Sequence, residues 1–376
     1  MEKNTPREGK HIKTNRKRRS RSKIIAVCAV ALLLVLVISA AGFVSSKLGL
    51  LKYSDGKPSA LYKAGLEDDE DELLDISGLL QVDPSEIPDI EVLTDDGVFN
   101  LLLLGTDDRE LELTDGARAD STMLLSLDFN NKTGKLVSFE RGMGVPIVDG
   151  KYKGMYDWLT HCFHWGGADL MVKEIRECFK VDVNHYVRVN LNALIKVIDA
   201  IGGIDVELTR IEALTLNYQA TGGDYGQTTG DIYLGDRSSK LQGNLKEGTN
   251  HLTGVMAVAY SRLRSIDSDW HRIARQRKVI QACADALKSA DLMTLNKLCN
   301  EVIPLVETNL TQMEILSLMI KAPGMMGVVL EQMSIPAEGT YGGMTAMTPR
   351  KERNMFWPDF AVNTQLLQDF LYGRHA

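Results

Sequence analysis

Between Ile24 and Val44 the chain runs without a charged side chain. At about 1.5 Å per helical residue, such a run covers a bilayer core of roughly 30 Å. This limits the possible folds severely, because it divides the chain into a short head, a membrane-spanning element and everything that follows. Arg16, Lys17, Arg18, Arg19, Arg21 and Lys23 precede the run, and by the positive-inside rule they hold the N-terminus in the cytoplasm. Ser39, Ala40 and Ala41 offer the small residues of a signal-peptide cleavage site. The apolar run nevertheless outlasts the usual signal-peptide core of about 7–15 residues. The sequence therefore predicts a single-pass plasma-membrane protein, with a basic cytoplasmic tail over 1–23, a transmembrane helix over 24–44 and an extracytoplasmic remainder.

The formal net charge of −7 is unevenly spread: no basic residue lies between Lys63 and Arg109. The basic tail is explained by the adjoining membrane run, so nucleic acid is not expected as a partner. Residues 45–97 read as an acidic stalk, punctuated by Pro58, Pro84 and Pro88, with a solvated block from Glu67 to Glu72 and a short helix over 73–80. Of the five cysteines, Cys28 lies in the membrane run, and Cys178, Cys283 and Cys299 fall within helical patterns, where a buried free thiol is expected. Pairing among these three and Cys162 stays open, and the absence of a C-x-x-C pair argues against a cysteine zinc site.

A folded domain is predicted over 98–376. Val98 to Leu104 is a short apolar run closed by Gly105, which reads as a buried strand. Residues 122–129 and 135–139 form a strand hairpin about an Asn-Asn-Lys-Thr-Gly turn. A helix over 168–179, a strand over 186–189, a helix over 191–201 and a strand over 204–208 follow, with Gly202-Gly203 as a helix stop. Residues 209–250 read as an inserted loop with a short strand at 232–234. Helices are expected over 252–262, 270–289, 291–302 and 311–320, then a strand over 328–335 and a closing helix over 363–372. The alternation implies an α/β fold, a mixed central sheet with helices packed on its faces.

Charged residues gather at the ends of the predicted strands, where α/β folds place their sites. Asp107 and Arg109 follow the first strand, Arg118 and Asp120 precede the second, and Arg141 lies just beyond the third. Further on, Arg262 and Arg264 arrive before a helix on which Arg272 and Gln276 share a face, with Asp269 one turn earlier. Read structurally, these are loop ion pairs worth at most about 1 kcal/mol each. Read chemically, two carboxylates at adjacent strand ends suit one hard divalent cation, and the arginines suit diphosphate oxygens. Arg275, Arg277 and Lys278 stand outside that set and read as surface charge.

The stretches Asn100–Arg109 (N-L-L-L-L-G-T-D-D-R), Arg118–Leu125 (R-A-D-S-T-M-L-L), Val197–Val206 (V-I-D-A-I-G-G-I-D-V) and Tyr260–Ile280 together resemble the LytR–CpsA–Psr family of Gram-positive cell envelopes. The core of the resemblance runs over 98–280, and the basic tail and apolar run agree with it. It implies a phosphotransferase at the outer membrane face. Such an enzyme moves a glycopolymer from a polyisoprenyl diphosphate carrier in the membrane to peptidoglycan, forming a phosphodiester. By the same resemblance Asp107 and Asp120 would hold Mg²⁺ or Mn²⁺. Arg118, Arg141, Arg262, Arg264, Arg272 and Gln276 would cradle the diphosphate, Asp269 would orient the arginines, Arg109 would serve cofactor binding, and an apolar cleft between sheet and helices would take the isoprenoid. A lipid-diphosphate hydrolase and a non-catalytic lipid- or glycan-binding regulator are the alternatives.

Two positions depart from the family pattern. Gly142 stands where an aspartate usually follows the arginine, and Trp158 stands where a lysine is common. His161 and His164 lie three residues apart in the same segment. They offer hydrogen-bonding or packing groups, phosphate donors in the lysine's place, or an (i, i+3) metal pair for which no third ligand is visible. Asp107 and Asp269 are the carboxylates available to assist a hydroxyl's deprotonation, and neither is singled out by the sequence.

Overall fold

The computed structural model describes residues 51–53, 74, 76–108, 117–220, 243–263, 266, 269–287, 291–325, 328 and 330–373. The tail and apolar run over 1–44 and the strand expected at 232–234 lie outside them. Thirteen strands are described: β1 (Lys52–Tyr53), β2 (Val98–Thr106), β3 (Ala119–Asp128), β4 (Thr133–Phe139), β5 (Gly144–Pro146), β6 (Tyr156–Trp158), β7 (His185–Asn190), β8 (Ile204–Leu208), β9 (Gly248–Leu252), β10 (Glu307–Thr308), β11 (Leu330–Ile335), β12 (Tyr341–Met347) and β13 (Glu352–Pro358). Seven of them make one sheet in the order β1-β10-β7-β2-β3-β4-β11. It is mixed: β2, β3 and β4 alternate in direction, while β7 runs parallel to β2 and β11 parallel to β4. The remaining strands form the two-stranded antiparallel pairs β5–β6, β8–β9 and β12–β13.

The described α-helices are α1 (Leu159–Phe179), α2 (Leu191–Ala200), α3 (Arg210–Ala220), α4 (Gly254–Ser261), α5 (Asp269–Leu287), α6 (Leu292–Glu301), α7 (Gln312–Lys321) and α8 (Phe360–Tyr372). Strand side chains alternate between faces, and the sheet is covered on both. Leu102, Leu104, Leu124 and Val137 face a core shared with α1 and α8, through Phe163, Phe179 and Phe360. Leu101, Leu125, Leu127 and Leu136 face a second core with Leu298 of α6 and Ile315 and Leu318 of α7. This double coverage explains why β2 reads as an unbroken apolar run rather than an alternating one. A third core joins β8–β9 to α2, α3, α4 and α5.

Several expectations are corrected. Residues 210–220 form helix α3 instead of loop, and the helix expected over 168–179 is the second segment of α1, preceded across the non-helical Gly166 and Gly167 by a first segment from Leu159. The described residues of 73–80 make a turn rather than a helix. The presumed stalk enters the domain in two places. Tyr53 pairs with Thr308, placing β1 at the edge of the sheet, with Leu51 buried beside it. Ile76 is buried, Gly343 donates its N–H to Leu80 O at 2.8 Å, and Leu93 bridges to Val181. Cys162, Cys178 and Cys283 are buried free thiols.

Candidate functional site

Strand direction decides which residues meet. Because β2 and β4 run opposite to β3, the residues after β2, before β3 and after β4 emerge at one end of the sheet. A bulge at Gly105/Thr106 ends the regular ladder there. Beyond it Asp107 donates its N–H to Arg118 O at 3.1 Å, and Arg118 returns its own N–H to Asp107 Oδ1 at 2.7 Å. The guanidinium closes on the same carboxylate, with Nε and Nη2 at 3.2 and 3.1 Å from Oδ2. One residue into the strand, Asp120 accepts Arg141 Nη1 at 3.0 Å on Oδ1. Its Oδ2 lies 3.6 Å from Nη1 of Arg262, the C-cap of α4.

Two acids and three arginines from four chain segments thus form one cluster. Its electrostatics are unbalanced in a telling way. Burial, then the charge of Asp120, push the Asp107 carboxyl up to about 7, against the lowering pull of the Arg118 N–H and Arg262. The two carboxylates therefore sit close enough to resist simultaneous ionisation despite the arginines. A cation between them would relieve that strain. Among the described residues no group of three or more His, Cys, Asp or Glu side chains can hold a metal ion. The donor set fits Mg²⁺ chemistry, in which one or two carboxylates share the ion with substrate phosphates and water.

The α5 residues of the candidate set have mixed outcomes. Arg272 is buried and Gln276 half-buried one turn later, as a shared inward face requires. Asp269 opens the helix, and only its backbone is described; Arg109 and Arg264 lie outside the described residues. Arg275 is not surface charge. It is 2% exposed, donates Nη2 to Leu263 O at 2.5 Å and lies 3.6 Å from Glu212 of α3. It fastens the backbone that follows Arg262. Arg277 is also half-buried, reaching Ser334 Oγ at 3.3 Å, whereas Lys278 is exposed as expected.

Sequence reasoning missed a second tier under the acids. Arg188, one strand over on β7, donates Nη2 to Asp108 Oδ1 at 2.9 Å and Nη1 to Glu307 at 2.9 Å, and its guanidinium lies 4.7 Å from the Phe163 ring centroid. Asp108 also accepts the Thr106 hydroxyl, and Tyr186 donates to Glu307 at 2.8 Å. These buried charges are paired and hydrogen-bonded, as burial demands. They fix the backbone on which Asp107 turns outward. The available signal was a single arginine inside the apolar strand H-Y-V-R-V-N.

Helix α1 is tied to the same end. Thr160 donates Oγ1 to Ala119 O at 2.9 Å and its N–H to Arg141 O at 3.2 Å. Gly142, the first departure from the family pattern, has a packing cause. A Cβ there would come within 2.5 Å of Leu74 Cδ1, so the N-terminal segment packs against this position and its leucine side chain would have to shift for an aspartate.

Residues 59–357 match the LytR_cpsA_psr family. The polyisoprenyl-teichoic acid–peptidoglycan teichoic acid transferase TagU of Bacillus mycoides (strain KBAB4) is 31% identical over 216 residues, which are 57% of this chain and 60% of that relative. The chain thus spans about 60% of the length of the TagU relative it matches. The solved structure of TagT bound to LIIa-WTA aligns with a TM-score of 0.52 at 25% identity, covering 77% of this chain and 96% of that one. Protein gbs0355 of Streptococcus agalactiae shares the fold, with a TM-score of 0.57 at 18% identity over 74% of this chain and 89% of its own. With residues 59–357, most of the chain, matched by that family's pattern, the protein belongs to the LytR–CpsA–Psr family.

Proposed function

We propose that this protein transfers a glycopolymer of the teichoic acid type from a polyisoprenyl diphosphate carrier to peptidoglycan. The observation that carries the reading is the cluster of Asp107, Asp120, Arg118, Arg141 and Arg262 at one sheet end. Phosphoryl transfer is chiefly positioning and charge stabilisation, and a forked guanidinium offers both to phosphate oxygens. The relative named a teichoic acid transferase and the TagT structure bound to LIIa-WTA support the same chemistry.

Asp107 and Asp120 would hold Mg²⁺, which when bound supplies charge neutralisation at the phosphoryl oxygens. Arg118 and Arg141 hold the two acids in place and present their remaining donors to the diphosphate. Arg262 and Arg272 add positive charge from the helical side, and buried Arg275 keeps the chain after α4 from moving away. The apolar run 24–44 is proposed to anchor the chain in the membrane with the site on the outer face, within reach of a lipid-borne substrate.

The test uses the full-length protein in detergent with a short polyprenyl diphosphate-linked sugar, Mg²⁺ and peptidoglycan fragments. Sugar phosphate joined to peptidoglycan, with polyprenyl phosphate released, is the expected result. Release of free sugar phosphate alone would make it a hydrolase, and tight retention without turnover would make it a binding protein.

A further inference from the structure

A hydroxyl that attacks phosphorus has to give up its proton, and the sheet-end acids are poorly placed to take it. Both oxygens of Asp107 accept hydrogen bonds from Arg118, and Asp120 accepts one from Arg141. A different acid–base pair lies at the start of α1. Asp157 on β6 is 1% exposed and accepts three donors: Trp158 N–H at 2.8 Å, Trp165 Nε1 at 2.8 Å and His161 Nδ1 at 2.7 Å. A carboxylate that receives two other N–H groups acts as acceptor toward the ring as well, so Nδ1 carries the imidazole proton and Nε2 the lone pair. No hydrogen bond engages Nε2 among the described residues. The ring itself cannot swing, because it is stacked on Trp158 with centroids 5.1 Å apart and planes 20° from parallel.

Its location connects it to the site. His161 follows Thr160, whose side chain and backbone hold Ala119 O and Arg141 O, between the residues that supply Arg118, Asp120 and Arg141. The charged groups acting on the ring from neighbouring elements are Asp157 of β6, Arg353 of β13 and Arg118 before β3. Burial, helped by the two arginines, outweighs Asp157 and holds His161 below its ordinary value, so the ring is neutral near pH 7. It is a proton acceptor, oriented and uncharged, within electrostatic reach of the arginine that clamps Asp107.

We propose that His161, oriented by Asp157, accepts the proton of the attacking hydroxyl on Nε2. The proposal rests on the transfer reading given above. In the step, the acceptor oxygen forms its bond to the sugar-side phosphorus while the bridging P–O bond to the polyprenyl phosphate breaks. The leaving phosphate oxygen keeps that electron pair, and the hydroxyl proton passes to Nε2 and from there to solvent. His161 is then a catalytic residue and Asp157 a positioning residue, the same division of labour as in an Asp–His pair that serves a nucleophile.

The experiment uses full-length protein, the short polyprenyl diphosphate-sugar, Mg²⁺ and peptidoglycan fragments, with lipid retention measured separately. His161→Gln is expected to lower kcat by about 100-fold or more, the usual contribution of a positioned base, with lipid retention within about twofold of wild type. Asp157→Asn should lower kcat about tenfold or more by releasing the ring's tautomer. His161→Gly should regain turnover when imidazole is added, which a merely structural residue would not allow. Wild-type kcat should rise with pH through an acid limb that His161→Gln lacks. Turnover by His161→Gln within threefold of wild type overturns the proposal, as does a loss that tracks lost lipid retention and ignores imidazole. If wild type yields only free sugar phosphate, the transfer reading fails on its own. Water needs the same base, so the same losses in hydrolysis support His161 and their absence overturns it.

Discussion

Arg118 contributes to the site through its shape as much as its charge. Its backbone and its guanidinium fork both close on Asp107, so a lysine in its place keeps the charge and loses the two-point grip. Arg118→Lys is expected to weaken lipid diphosphate retention about tenfold, near 1.4 kcal/mol, in a direct binding titration. Glu174 provides a test remote from the site. It is buried in α1, accepts Val148 N–H at 3.0 Å and the Cys178 thiol at 3.8 Å, and burial pushes its carboxyl up to about 8. Between the ordinary carboxylate range and 8, the folded state holds a proton that the unfolded chain has released, so stability falls as pH rises across that window. Thermal midpoints should drop by several degrees between pH 5.5 and 8.5 in wild type, and Glu174→Gln should remove a large part of that drop, the raised Asp107 carboxyl supplying the rest.

At the scale of elements, α1 is two helical segments that meet at Gly166 and Gly167. Gly167 has φ 64° and ψ −159°, a backbone state that suits glycine alone, and a Cβ there would meet no atom within 4 Å. Gly167→Ala therefore tests strain without a clash, and a loss of about 1–3 kcal/mol in denaturant unfolding is expected. What the sequence disclosed about elements follows a similar division. The central strands were legible because their apolar runs are short and bounded by turns. Helix α3 was hidden because its apolar pattern is mixed: Ile211 and Leu214 are exposed, while Glu212 and Thr215 are buried beside Ala213 and Leu216. Its start signal was nevertheless present as Thr209-x-x-Glu212, where the N–H of Thr209 reaches Glu212 at 2.8 Å and the N–H of Glu212 reaches Thr209 Oγ1 at 3.3 Å. The same device at Thr311 and Glu314 opens α7, where periodic apolar residues made it readable. The site acids and Arg141 were legible as strand-end charge. Arg188 and Arg275 were not, because only the fold shows which arginine lies under the sheet end and which faces water.

For the molecule as a whole, the fold begins well before Val98. Leu51 and Ile76 are buried, β1 extends the sheet, and Leu74 fills the space beside Gly142. A chain begun at Val98 should lose about 3 kcal/mol or more from those two side chains alone, at roughly 1.5–3 kcal/mol each, and unfold at correspondingly lower denaturant. This edge strand also changes the reach of the site. Only six residues, 45–50, separate Val44 from Leu51. Fully extended, the span between those two residues is at most about 25 Å. On the proposed anchoring, the protein is therefore on a short leash and does not ride at the tip of a long acidic arm. Its working height is set by the carrier lipid's head group, and a growing glycan strand must come down to the membrane surface to be served.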